Sequence, residues 1–179
     1  LKTYLQKITD RGNTKLAESI QKTAEDVGNR YIKTFSFASH EIGLLFGNVQ
    51  SGKTGQMFGI MCKSADLGFP AFVLLTTDNV VLQQQTLDRV KSDLEGFCIC
   101  GENDSRLFTD NSLIQPAIIV LKKNVRVLKL WSNILNSTGF MKGNPLFIID
   151  DEADAASLNT LVNRDRQSSI NKYLDIIKN

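Results

Sequence analysis

The stretch Gly47-Asn48-Val49-Gln50-Ser51-Gly52-Lys53-Thr54 decides how this chain is read. It has the form G-x-x-x-x-G-K-T, the spacing of a phosphate-binding loop. Two glycines let the backbone curl until successive N–H groups point inward, where they can hold phosphate oxygens. Lys53 adds a positive charge for the β- and γ-phosphates, and the Thr54 hydroxyl is of the type that ligates Mg²⁺. Residues 54–67 have helical patterning, so a helix would present its positive end to the same phosphates. Ile42-Gly43-Leu44-Leu45-Phe46 is apolar and predicts a buried strand ahead of the loop. Strand, loop and helix in that order favour the binding reading over an ordinary glycine-rich turn.

Working outward, three more apolar runs stand at 71–75, 117–121 and 145–149. None alternates between apolar and polar residues, as a half-exposed strand would. The segments between them, 80–94 and 125–136, have helical patterning, the latter with Val125, Leu128, Trp131 and Leu135 on one face. Buried strands separated by helices predict an α/β domain: three layers around a mostly parallel central sheet. Phe97 to Cys100 reads as a short extra strand, 101–115 as a polar loop, and 166–178 as a final helix. Ligands of such sheets bind at the carboxyl ends of the strands. The tips at 47–54, 76–79, 122–124 and after Ile149 are therefore expected on one edge. Ahead of the sheet, residues 1–8 and 14–31 read as helices, with Leu16, Ile20, Ala24 and Val27 on one face. Thr14 is placed to cap the second, and Gly28-Asn29 to stop it. The expected organisation is a helical leader over 1–35, packed on one nucleotide-binding domain over 36–179.

Composition sets wider bounds. The chain has 179 residues, 42% of them hydrophobic and 22% charged, with a net charge of +2. That is ordinary for a globular domain and too weakly basic to argue for nucleic acid. No apolar run has the length of a membrane span, and no signal-peptide pattern opens the chain. The first residue is Leu, which suggests a piece of a longer protein. Cysteine occurs three times, at Cys62, Cys98 and Cys100. An odd count fits a reducing compartment, and Cys98-x-Cys100 lacks a second pair to complete a metal site. His40, the single histidine, reads as a loop residue.

Asp150-Asp151-Glu152-Ala153-Asp154 follows directly on the last apolar run. An acidic helix start would explain it by itself. Following a complete phosphate loop, it instead supplies what Mg²⁺ and an attacking water need. Residues 151–154 spell D-E-A-D, and with 47–54 the chain resembles the first RecA-like lobe of superfamily 2 helicases and translocases. More narrowly, G-x-V-Q-S-G-K-T at 47–54, Q-T-x-x-R at 85–89, K-K-N-V at 122–125 and I-D-D-E-A-D-x-A-S-x-N-T at 149–160 are similar to the Z1 domain of restriction-type endonucleases.

The resemblance implies a RecA-like fold and an ATP- and Mg²⁺-dependent hydrolase acting on DNA, double-stranded in the first instance. It implies a bacterial cytoplasmic protein, working with a second RecA-like lobe and a nuclease domain or subunit. Residues 47–54 would hold the nucleotide, with Lys53 also assisting catalysis. Thr54 and Asp151 would hold Mg²⁺, partly through water. Glu152 would be the general base, and Asp154 would couple the site to the second lobe. Thr77, Asn79, Lys122, Lys123 and Asn124 would meet the nucleic-acid backbone, although a solvated loop tip explains the lysines equally well. Gln83, Gln84, Gln85 and Arg89 read as a polar helix face, and Trp131 as core. The chain departs from the pattern in two ways: no adenine-reading glutamine motif precedes the loop, and no second lobe or nuclease motif follows. A regulatory nucleotide switch gating a protein partner is the alternative. A small-molecule kinase is disfavoured, because a Glu after the Asp suits attack by water.

Overall fold

The computed structural model describes residues 1–36, 41–45, 52–138, 140, 142–151 and 172. These form two compact units, Leu1–Phe69 with Val90–Glu95, and Pro70–Arg89 with Gly96–Asn179.

The first unit is helical. α1 spans Lys2–Asp10, α2 Thr14–Val27 and α3 Lys53–Asp66. Asn13 takes the N-cap position of α2 and Thr14 is its first helical residue, one position off the cap expected from sequence. Gly28 does not stop the chain; a single π-helical turn, Gly28–Ile32, carries it on. Gly28 keeps a right-handed conformation (φ −58°), so it is used for space and not for a turn. A Cβ there would lie 2.8 Å from Lys63 Cγ. The apolar face of α2 buries Ala17, Ile20 and Ala24. It meets α3 at Gly55 and Gly59, one turn apart, where Ile20 fills the space that side chains would occupy. Tyr4 of α1 packs edge-on against Phe58 of α3.

Residues 41–45 correct the sequence reading. They carry no strand, and Ile42 and Leu44 are 93% and 73% exposed. An apolar run becomes a strand only when a neighbour completes its hydrogen-bond ladder, and no described neighbour does so. Phe46, the last residue of that run, lies outside the described residues.

The second unit is α/β. Its four described strands are β1 (Ala71–Thr76), β2 (Cys98–Cys100), β3 (Ala117–Lys122) and β4 (Leu146–Asp150). They run parallel in the order β2-β3-β1-β4. The helices α4 (Val80–Asp93), α5 (Ser105–Asn111) and α6 (Val125–Ser137) connect them. β1 and the whole apolar run of β3, residues 117–121, sit at the centre and are buried, as runs without alternation require. One sheet face, with Ala71, Val73, Leu75, Ile119 and Leu121, packs on Leu128, Trp131 and Leu135 of α6 and on Phe108 of α5. On the opposite face Phe72 packs edge-on against Phe97 and at a tilt against Phe147.

Helix α5 falls inside the stretch that reads as polar loop. Its sequence, Ser-Arg-Leu-Phe-Thr-Asp-Asn, shows no apolar stripe, and Phe108 alone is buried. Phe108 sits against Trp131 and Phe140, so tertiary packing holds this short helix. Trp131 is core, as its position on the α6 face implies, and its Nε1 donates to the Glu102 carbonyl (3.0 Å). Val125, predicted on the same face, is instead 38% exposed at the first turn. The helix expected over 166–178 lies outside the described residues, except Lys172, which is helical.

Candidate functional site

The phosphate-loop residues divide at Ser51. Gly47, Asn48, Val49, Gln50 and Ser51 lie outside the described residues; Gly52, Lys53 and Thr54 are described. Gly52 caps α3 in the left-handed conformation, φ +76°. A side chain there would be strained and would meet Leu16 Cδ1 at 3.0 Å. Lys53 opens the helix and is exposed, and Thr54 is half-buried. No side chain caps the helix and no acidic residue stands in its first turn. Among the described residues, the first-turn amides thus keep their positive field with no carboxylate in that turn against it. One turn on, Gln56 donates through Nε2 to Ser19 Oγ (3.0 Å), while its Oε1 is buried without a hydrogen-bond partner among the described residues.

In the second unit, three strand tips share the carboxyl edge of the sheet: Thr76–Asn79 after β1, Lys122–Asn124 after β3, and Asp150–Asp151 at the end of β4. Parallel pairing aligns them, with Thr76 opposite Lys122 and Leu75 opposite Asp150. Glu152 and Asp154 lie outside the described residues.

The tip residues are largely engaged with one another. Asn79 Oδ1 accepts from the amides of Val81 and Leu82 (2.9 and 3.2 Å) and so caps α4. Asn124 Oδ1 accepts from the Arg126 amide (3.0 Å) and caps α6, while its Nδ2 donates to Asp78 Oδ2 (3.1 Å). Glu102, from the loop after β2, accepts the Lys122 amide on Oε1 (3.0 Å), and its Oε2 lies 3.6 Å from Lys122 Nζ. Thr77 Oγ1 is buried without a hydrogen-bond partner among the described residues.

The two lysines are not equivalent. Lys122 is partly exposed, but Lys123 is 0% exposed. Lys123 Nζ donates to Asp150 Oδ1 (3.0 Å) and to the Asp151 carbonyl (2.9 Å). An ammonium held there cannot reach a nucleic-acid backbone outside, so the expected phosphate contact at Lys123 is withdrawn. The sequence reading also missed Glu102, which stands in a loop with no pattern to mark it, and the pairing of Asp150. A lysine immediately beyond an apolar strand, facing a later strand that ends in acid, was the available signal. Gln83, read as part of a polar helix face, is 7% exposed and donates through Nε2 to the Val120 carbonyl (3.3 Å).

All three cysteines are buried, and none forms a disulfide among the described residues. Burial pushes the Cys62 thiol up to about 11. Cys98 and Cys100 project to one side of β2, their sulfurs 3.7 Å apart. Among the described residues no helix is long and apolar enough to cross a membrane.

The fold and the edge together define an α/β protein with an all-parallel sheet and an acidic carboxyl edge. No protein-family model, no curated protein and no solved structure matches the chain.

Proposed function

We propose that this chain is a nucleotide-binding lobe of an ATP-hydrolysing, DNA-dependent motor with a RecA-like three-layer fold. One observation carries the reading: the G-K-T end of the loop opens a full-length helix behind a left-handed glycine, with no carboxylate in its first turn. Helix N-termini of this kind suit phosphate. The second support is the parallel strand β4, which ends in Asp150 and is followed by Asp151.

The residue types of this set suit Mg·ATP. Among the described residues no group of three or more His, Cys, Asp or Glu could hold a metal by itself. Mg²⁺ bound with a nucleotide needs only one or two protein ligands, since phosphates and waters supply the others. The sequence resemblance would make Thr54 and Asp151 those ligands. Lys53 counters phosphate charge, and Glu152 takes the proton of the attacking water. Work on double-stranded DNA, a second lobe, a nuclease partner and a bacterial cytoplasmic setting rest on the sequence resemblance alone.

A specific observation favours the second reading, a switch that gates a protein partner. The basic residues of the sheet edge are turned inward or paired with acids, Lys123 with Asp150 and Lys122 with Glu102. That leaves little charge for a DNA backbone. The test is calorimetric titration of Mg·ATP into the chain and its Lys53→Ala variant, followed by ATP hydrolysis with and without duplex DNA. Binding lost in the variant and hydrolysis stimulated by DNA support the motor. Binding lost but hydrolysis indifferent to DNA favours the switch. Equal binding by both proteins overturns both.

A further inference from the structure

We propose that Lys123 is a positioning residue that anchors the acidic turn after β4, engaging Asp150 so that Asp151 is left as the carboxylate for a divalent cation. The role of Asp151 in this inference rests on the nucleotide reading above; the anchoring does not.

The argument starts with strand parity. Leu121 and residue 123 project to one sheet face, as do Ile148 and residue 150, and Leu121 and Ile148 belong to the same apolar cluster. β1 lies between β3 and β4. Two strand spacings, about 10 Å, separate the two tips. A four-carbon stem can cross that gap when the facing residue is a short Asp. The stem is covered and the ammonium fully buried, with Asp150 Oδ1 at 3.0 Å and the Asp151 carbonyl at 2.9 Å.

Backbone bonds complete the clasp. The Lys123 amide donates to the Thr76 carbonyl (2.9 Å), and the Asp151 amide to the Leu75 carbonyl (3.0 Å). The turn that carries Asp151 is thus tied on one side to β1 and on the other to β3, and Lys123 supplies the second tie.

The charges explain why Asp150 and Asp151 would act differently. Two adjacent carboxylates repel each other and would compete for one cation. Lys123 neutralises the first. Among the described residues no cation pairs with the second. The Lys123–Asp150 pair is therefore internal, and its effect is felt at Asp151.

The experiment compares the parent, Lys123→Met, and Lys123→Met with Asp150→Leu. The double variant removes both charges, so it folds even where an unpaired, partly buried carboxylate prevents Lys123→Met from doing so. Two quantities are read: amide hydrogen exchange without nucleotide, and the Mg²⁺ concentration that half-saturates the gain in ADP affinity. Both variants should exchange the Asp151 amide about ten-fold faster or more, with the Val73 and Ile119 amides unchanged. Both should need about ten-fold more Mg²⁺, the usual cost of losing a group that orients a ligand. Affinity for ADP without Mg²⁺ should stay at the parent value. Unchanged exchange at Asp151 overturns the anchoring. A double variant with the parent's Mg²⁺ requirement shows that Lys123 only balances a charge, and also overturns the proposal. If the parent binds no ADP at any Mg²⁺ concentration, the nucleotide reading and the cation role fall together, while the exchange measurement still decides the anchoring.

Discussion

Ile20 of α2 occupies the space above Gly59 of α3: a Cβ at Gly59 would lie 2.4 Å from Ile20 Cγ2. Ile20 is fully buried and β-branched, so it cannot swing aside. This contact sets how closely α2 approaches the helix that begins at Lys53. In a free helix, Gly→Ala would stabilise by roughly 1 kcal/mol. Overpacking a filled site costs about 1–3 kcal/mol and should win. Gly59→Ala is expected to lower the denaturant midpoint. Gly55→Ala, whose tightest contact is the flexible Cδ1 end of Ile20 at 3.1 Å, with Tyr4 Oη at an ordinary 3.5 Å, should be near neutral. Equal effects in chemical denaturation would show that the close approach is not what the glycine is for.

Lys53 is exposed at the start of α3, so its removal should leave the fold intact. A charge-assisted contact to phosphate is worth about 1.5–3 kcal/mol, which predicts a ten-fold to hundred-fold loss of Mg·ATP affinity in Lys53→Ala with an unchanged melting temperature. Calorimetry and thermal denaturation on the same samples check both halves.

Asp151 and Glu152 are neighbours with different expected roles. Glu152→Gln keeps the shape and loses the base. It should bind ATP like the parent and hydrolyse it on the order of 10²–10⁴ times more slowly. Asp151→Asn should weaken the Mg²⁺ dependence of binding as well as the rate. Single-turnover hydrolysis with DNA present, beside nucleotide titrations, separates the two. Hydrolysis at the parent rate by Glu152→Gln removes it as the base.

The burial of Lys123 sharpens the prediction for nucleic acid. Lys122 alone of the pair can face a phosphate, and Glu102 competes for it at 3.6 Å. Lys122→Ala should reduce the slope of log affinity against log salt by about one at most. Glu102→Gln should strengthen DNA binding by freeing Lys122. DNA affinity unmoved by either change places any DNA surface elsewhere.

Cys62 links stability to alkaline pH. Burial raises its folded pKa from 9.0 to about 11, so the folded state holds the proton that the unfolded state releases first. The stabilisation is complete below pH 9 and declines as the pH rises toward 11. Cys62→Ala should be less stable at pH 8 from lost packing, yet lose less further stability between pH 8 and 10.5. Denaturation curves at those two pH values give the difference in slope.

Much of the α/β unit was legible in the sequence because its determinants are local. Runs at 71–75, 117–121 and 145–149 are too apolar for solvent and too short for helices, and they form β1, β3 and β4. Val80–Asp93 and Val125–Ser137 carry their own periodicity and caps. Of the candidate site, the residue types at 52–54 and 150–151 were readable, because a phosphate loop and an acid-ended strand are written in consecutive positions.

Tertiary structure decided the remainder. Ile42 to Leu45 has the composition of a strand and is not one among the described residues, since a ladder needs a partner that composition cannot name. Ser105–Asn111 lacks a helical stripe and is nevertheless helical, because Phe108 is held from outside by Trp131 and Phe140. Lys122 and Lys123 are identical letters in the sequence. Strand parity sends one toward Glu102 and the other under the sheet edge to Asp150. That separation depends on β1 lying between β3 and β4, an order of strands that no single segment contains.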